Sequence, residues 1–403
     1  MREQAGKTHN SALDKLGRRD FLSLAAASGL VVLAGCATRQ KDIETVNNAD
    51  SSPLWQQDKK TIVLSSNENP FGASPAAMEA GMKALRDNAS LYARENKDRF
   101  LNDLADFYGL DPGQILLGCG AIELLKIATD VFCSSKSPPV ISDPVYEAIS
   151  YYAPLRRIWP KRVPVKTRDA GHDLGTMLEA AKSYKGMLYV CNPCNPTGTL
   201  IGEKDLSQLI KEVPRETVVV VDEAYAEYVG SGFFSCMDLV RAGTPNLLVI
   251  RTFSKIYGLA GLRVGYCAGA KNIIQAMSGH ALWNNINQAG LAAAHAALHE
   301  QSWVDKMCRE NKRTRRNFCA GLEDLGIEYI PSRTSFVLLS TGRSWEETHN
   351  YLLLKGGVVA GRKIPSLPRY IRVSLGSDKD MEHVLSLLKN LQSSPPTQKK
   401  TTL

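Results

Sequence analysis

A lysine, an arginine and a strand-ending acid carry the first chemical signal in this chain. The run Arg251-Thr-Phe-Ser-Lys255-Ile-Tyr-Gly-Leu-Ala-Gly-Leu-Arg263 places Lys255 just after a short apolar stretch, Asn246 to Ile250, and Arg263 eight positions further on. A lysine so placed can form a Schiff base with an aldehyde cofactor, and the arginine can return to hold that cofactor's phosphate. Upstream, Thr217-Val-Val-Val-Val221 is a β-branched run that ends in Asp222. A carboxylate there either meets a ligand at the end of a parallel strand or caps the helix that follows. A further segment, Ile115-Leu-Leu-Gly-Cys-Gly120-Ala-Ile-Glu, reads as strand, glycine turn and helix start. Backbone N–H groups at Gly120, Ala121 and Ile122 would form an anion site there, with Ser254 and Arg263 beside it.

These groups need a scaffold that brings distant segments to one edge. Short apolar runs alternate with helical stretches from about Asp98 to Ala270, which predicts a mainly parallel sheet with helices on both faces. From Gln301 to Gln392 helices alternate with short strands again, as a second, smaller α/β domain would. A chain of 403 residues is long enough for both, and 44% hydrophobic content is that of a soluble globular body. The stretch from Trp303 toward Leu322 carries Lys306, Arg309, Lys312, Arg313, Arg315 and Arg316, and reads as a solvated helix face. No nucleic-acid-binding motif accompanies it, so no nucleic-acid partner is expected. Cys191 and Cys194 have C-x-x-C spacing but lack a second pair or a neighbouring histidine, and the seven histidines form no cluster along the sequence. No metal is expected.

In order and content these segments resemble the fold-type I, pyridoxal-phosphate-dependent aminotransferases of class I/II, most of all the histidinol-phosphate aminotransferase branch. The likeness spans roughly residues 60 to 392. It implies an α/β fold-type I transferase: a mainly parallel seven-stranded sheet, helices on both faces and a smaller C-terminal α/β domain. It also implies pyridoxal 5′-phosphate on Lys255, with Asp222 against the pyridine nitrogen. Tyr225 and Asn195, the latter in Asn192-Pro-Cys-Asn195-Pro-Thr-Gly198, would bond the cofactor's 3′-oxygen. Tyr146, in Ser142-Asp-Pro-Val-Tyr146, matches the aromatic that stacks on the ring, where residue type alone allows a core tyrosine. Asn67, in Asn67-Glu-Asn-Pro70, would line the substrate mouth, and Arg372, in Arg372-Val-Ser-Leu-Gly376, would hold the substrate α-carboxylate bidentately. Tyr92 matches the tyrosine that reaches the phosphate of the neighbouring subunit, which implies a homodimer.

The departures fall mainly on the substrate side. The branch commonly has Arg-Tyr-Pro where this chain has Ser90-Leu-Tyr92-Ala, and Asn where it has Ser335. Gly361-Arg362-Lys-Ile-Pro365 is a variant setting that makes Arg362 a candidate substrate-pocket cation. Ala121 and Ile122 lack the small polar residue usual in the phosphate turn. The cofactor residues are complete, while the substrate cannot be inherited from the likeness.

The first 36 residues stand apart. Gly17-Arg18-Arg19-Asp20-Phe21-Leu22 precedes a mildly apolar run ending in Leu33-Ala34-Gly35-Cys36, which resembles a bacterial twin-arginine signal joined to a lipobox. It implies export by the twin-arginine machinery, cleavage before Cys36 and acylation of that thiol. The mature chain would be membrane-anchored through lipid only, on the periplasmic side, and at the outer membrane in a Gram-negative host. The expected organisation is a signal at 1–35, a flexible tether at 36–58, and an N-terminal segment at 59–84 that joins the small domain and the substrate mouth. A large cofactor domain at 85–298, a small domain at 299–392 and a disordered tail at 393–403 follow. The net charge of +8 is modest and needs no polyanionic partner.

The expected activity is transamination between an L-amino acid, or an amino-acid-like phosphate ester, and a 2-oxo acid. A decarboxylase or lyase on the same cofactor is the alternative among enzymes. An exported binding lipoprotein without catalysis is the alternative of another class.

Overall fold

The computed structural model describes residues 61–395. The expected export signal and tether, with Cys36, and most of the expected tail therefore lie outside the described residues. The chain enters through β1 (Ile62–Leu64) and α1 (Pro75–Asn88). Ser74 caps α1 by accepting from the Ala77 N–H, and Pro75 fills a first-turn position where no donor is needed. Next come α2 (Arg94–Tyr108), β2 (Ile115–Gly118), α3 (Ala121–Phe132), β3 (Val140–Asp143), α4 (Ala148–Leu155), β4 (Lys161–Pro164) and α5 (Leu174–Tyr184). Then follow β5 (Met187–Cys191), α6 (Glu203–Glu212), β6 (Val218–Asp222), α7 (Met237–Arg241), β7 (Leu247–Thr252), β8 (Gly265–Gly269), α8 (Lys271–Ser278) and α9 (Gln288–His299).

Seven of these strands form one sheet in the order β2-β8-β7-β6-β5-β3-β4. The sheet is parallel except for β8, which runs against both β2 and β7. β5 and β7 are buried along their whole length and β6 from its second residue, which explains apolar runs without alternation. One face packs Val219, Val221 and Val249 against α2, α5, α6 and α9. The other packs Val220, Tyr189 and Ile250 against α3, α4 and α8.

The C-terminal part holds α10 (Gln301–Asp324), β9 (Glu328–Ile330), β10 (Phe336–Ser340), α11 (Trp345–Gly356), β11 (Val358–Ala360), β12 (Tyr370–Ser374) and α12 (Asp378–Ser393). β12-β10-β9 is an antiparallel sheet, and β11 pairs in parallel with β1. The segment before residue 85 is shared: β1 joins this smaller core, whereas α1 packs on α9. The basic helix α10 is less solvated than its charge predicts. Arg315 is buried and donates from Nη1 to the Thr334 carbonyl at 2.8 Å, and Arg313 pairs with Asp378 at 2.6 Å. Its basic residues are thus partly structural, because the helix lies against the loop that precedes β10.

Candidate active site

The parallel strands β5, β6 and β7 all end at the same edge, and each delivers a polar group there. β7 hands over to a tight turn in which the Ser254 N–H bonds to Thr252 Oγ1 at 3.1 Å, and Lys255 follows. Gly258 brings this segment against the Asn67–Gly72 segment. A Cβ on Gly258 would lie 2.2 Å from the Gly72 carbonyl oxygen, and its φ of +70° also calls for glycine. Asn69 Nδ2 donates to the Ile256 carbonyl at 2.8 Å, and Lys255 Nζ donates to the Ser66 carbonyl at 2.9 Å. Burial, helped by the nearby Arg372 charge, brings the Lys255 amine down to about 8. A lysine near neutrality is a nucleophile and a base in a way that a surface lysine is not.

Asp222 ends β6 and is almost wholly buried. It accepts from the Tyr189 hydroxyl at 2.8 Å and from the Ala224 N–H at 3.1 Å. Burial raises its carboxyl to about 6 despite those two donors. The Ala224 bond is the local turn that residue type alone allowed, so Asp222 both shapes its turn and presents a carboxylate to the site. Tyr189 was not singled out in the sequence, where it sits inside an apolar strand. Cys191 pairs with Asp222 in register, so Tyr189, two residues back, shares the face of Asp222. That parity is the signal that could have found it.

Asn195 lies in the loop after β5 and accepts from Arg372 Nη1 at 2.5 Å. Arg372, on β12, also donates from Nη2 to the Ser65 carbonyl and lies 5.4 Å over the Phe336 ring, while its buried Nε has no partner. The loop carrying Asn195 is pressed on the smaller domain at Gly198, where a Cβ would meet Ser332 Oγ at 2.4 Å. Tyr225 is buried, and its hydroxyl accepts from Asn67 Nδ2 at 2.9 Å. Asn67 is oriented in turn by Ser374, whose hydroxyl donates to Asn67 Oδ1 at 2.8 Å and accepts from the Asn67 N–H at 2.9 Å. Ser374, like Tyr189, escaped sequence reading.

The anion cradle lies at the start of α3. Gly120, at φ +74° and ψ 166°, precedes the helix, and no side chain caps the first turn from that position. Arg263 Nη1 donates to Ser254 Oγ at 3.2 Å and to the Ala260 carbonyl at 2.8 Å. A Cβ on Gly120 would lie 2.1 Å from Arg263 Nη2, and one on Gly265 would lie 2.6 Å from the Ala121 nitrogen. Free helix N–H groups, a guanidinium and a hydroxyl thus converge where only glycine fits, which suits a phosphate. Arg263 itself is held at φ 58°, a left-handed conformation uncommon for a non-glycine residue. Glu123 also bonds here, accepting from the Cys119 N–H at 2.5 Å and from Asn285 at 2.6 Å.

Tyr146 is half-buried on the α3 face, and burial, with the Glu147 and Asp222 charges adding, pushes its hydroxyl above the usual range. Two expected site residues stand outside these contacts. Arg362 is 68% exposed and pairs with Glu147 at 3.4 Å. Tyr92 is 75% exposed, and no hydrogen bond joins it to the groups above. A lysine amine, an aromatic hydroxyl, a buried carboxylate and a phosphate cradle on one edge fit a phosphorylated pyridine aldehyde.

Comparison with known proteins points the same way. The chain is 34% identical over 333 residues to a histidinol-phosphate aminotransferase of Brevibacillus brevis, an alignment covering 82% of this chain and 90% of that protein. A histidinol-phosphate aminotransferase from Sinorhizobium meliloti, solved in complex with pyridoxal-5′-phosphate, superposes with a TM-score of 0.77 at 25% identity, over 86% of this chain and 99% of that one. The L-threonine-O-3-phosphate decarboxylase of Porphyromonas gingivalis shares the fold, with a TM-score of 0.71 at 21% identity, covering 83% of this chain and 100% of that one. The family model of aminotransferase class I and II matches residues 59–388, and the chain belongs to that family of pyridoxal-phosphate-dependent transaminases.

Proposed function

We propose that this transaminase takes its amino group from an L-amino acid or an amino-acid-like phosphate ester whose anionic end sits on Arg372, and passes it to a 2-oxo acid. The observation that carries the reading is the Arg372–Asn195 contact, which ties the anion-binding guanidinium to the loop beside Lys255. Bound pyridoxal phosphate supplies the ring that withdraws electrons from the donor's Cα. The chain's own residues do the rest. Asp222, ionised above about pH 6, would hold the ring nitrogen in its protonated form. Lys255, with its amine brought to about 8, is partly unprotonated at neutral pH and moves the Cα proton. Tyr225, fixed by Asn67, and Asn195, fixed by Arg372, would supply hydrogen bonds to the cofactor's 3′-oxygen. Gly120, Ala121, Ile122, Ser254 and Arg263 hold the phosphate. The names of the 34%-identical relatives support a phosphate ester as the donor, and Arg362, whose charge is felt at Arg372, would offer a second cation on leaving its pair with Glu147.

The same proposal makes the protein a homodimer in which Tyr92 reaches the partner's phosphate site, exported through Arg18 and Arg19 and lipidated at Cys36. The test of function is a donor screen with the purified holoenzyme, following 2-oxo acid formation and carbon dioxide release together. Borohydride reduction and peptide mapping should place the cofactor on Lys255. Lys255→Ala should lose turnover by several orders of magnitude, because the attachment point and the base vanish together. Carbon dioxide release without 2-oxo acid formation would replace the transaminase reading by a decarboxylase, and a cofactor tag on another lysine would refute the assignment of Lys255.

A further inference from the structure

A second cluster of ligating side chains, sharing none of the cofactor residues, lies between α2 and α9. His295 and His299 are four residues apart on α9, so they share one helix face. Asp103 on α2 faces them: its Oδ2 is hydrogen-bonded to His295 Nε2 and lies 3.7 Å from His299 Nε2. One donor atom from each of the three residues falls within 4.8 Å of the other two. Donors around a tetrahedral zinc ion stand about 3.4 Å apart, so closing the site needs only small side-chain movements. The His295 ring packs on Phe100, 5.6 Å between centroids, which limits its swing. His299 is 60% exposed, leaving a path for an ion and room for a water in a fourth position.

We propose that Asp103, His295 and His299 form a binding site for a divalent transition metal of the zinc class, clamping α2 to α9. Two imidazoles and one carboxylate suit zinc and disfavour calcium or magnesium, which prefer oxygen. The ion takes the place of the proton shared by His295 and Asp103, and any displaced proton leaves to solvent. The sequence reading expected no metal, because the histidines are dispersed along the chain; His295 and His299 meet on one face of α9 only once the helix forms. Asp103 joins them through helix packing.

The bland alternative is an ion pair between Asp103 and His295, to which His299 adds little. Equilibrium dialysis of the chelator-stripped holoenzyme against zinc chloride, with metal analysis and thermal unfolding, separates the two. The expected result is one zinc per chain and a Tm raised by several degrees. His299→Gln, which leaves the Asp103–His295 pair intact, should weaken binding at least about tenfold and abolish the Tm rise. Asp103→Asn should do the same, while His280→Gln, elsewhere on the surface, should change nothing. No bound zinc in the wild type, or equal binding in His299→Gln, overturns the site. Loss of binding in His280→Gln would also overturn it, by placing the metal elsewhere.

Discussion

Asp222 concentrates the chemistry of single residues. Its carboxyl stays protonated to about pH 6 in the native protein, against an ordinary value of 3.8. Between those values the folded chain holds a proton that the unfolded chain has released. Stability of the cofactor-free protein therefore falls as pH rises through this window, by about 3 kcal/mol from this group. Asp222→Asn should remove that fall, visible in denaturant unfolding at pH 4 and pH 7, while cutting turnover at least about a hundredfold. A variant with the pH dependence of the wild type would show that the charge is not destabilised by burial. Lys255, Asp222 and Arg263 were legible in the sequence because their chemistry admits few substitutes and sets their distance from strand ends. Tyr189 and Ser374 were not, because a tyrosine or serine in a buried strand looks like packing until the neighbouring strand's register is known. Arg362 was legible only as a cation, and its pairing with Glu147 depends on how two distant loops meet.

At the scale of elements, the proposed phosphate cradle is the junction of β2, α3 and the Arg263 turn, and Gly120 is its pivot. An alanine there would adopt a backbone conformation open almost only to glycine, at a cost of about 1–3 kcal/mol. Its methyl group would displace the end of the Arg263 side chain, which is flexible, so the fold survives and the aim of the guanidinium does not. Gly120→Ala should thus weaken pyridoxal phosphate at least about tenfold in a fluorescence titration, with only a modest change in Tm. Unchanged affinity would remove Arg263 from the phosphate site. The strand–helix alternation was readable from apolar runs, and the sheet follows it. The reversal of β8 was not, because five buried residues carry no sign of direction. Nor was the end of β7, which continues to Thr252, past the apolar run, because Arg251 is accommodated by Glu223 at 2.7 Å and Glu227 at 3.0 Å.

For the whole molecule, the export reading and the cofactor reading support one another: a protein that acquires a cytosolic cofactor must fold around it before crossing a membrane. Replacing Arg18 and Arg19 by lysine together should leave holoenzyme in the cytosol, and Cys36→Ala should abolish acyl labelling. A wild-type protein that stays cytosolic and unlabelled would end this reading. The proposed homodimer, implied by the likeness at Tyr92, has surface apolarity in its favour. Met78, Met82 and Leu85 lie on the exposed side of α1 at helical spacing, Leu91 follows, and Trp283 is 94% exposed. Apolar groups gathered on one helix face mark an association surface more often than a solvent face. Tyr92 lies one residue beyond Leu91 and is itself exposed, so a partner seated there would meet its phenol. Met82→Glu with Leu85→Glu should therefore yield a monomer in sedimentation and, with it, weaker cofactor binding. Tyr92→Phe should keep the dimer and lose only the phenol's hydrogen bond, about tenfold in affinity. A monomer that retains full turnover would show each active site to be complete within one chain.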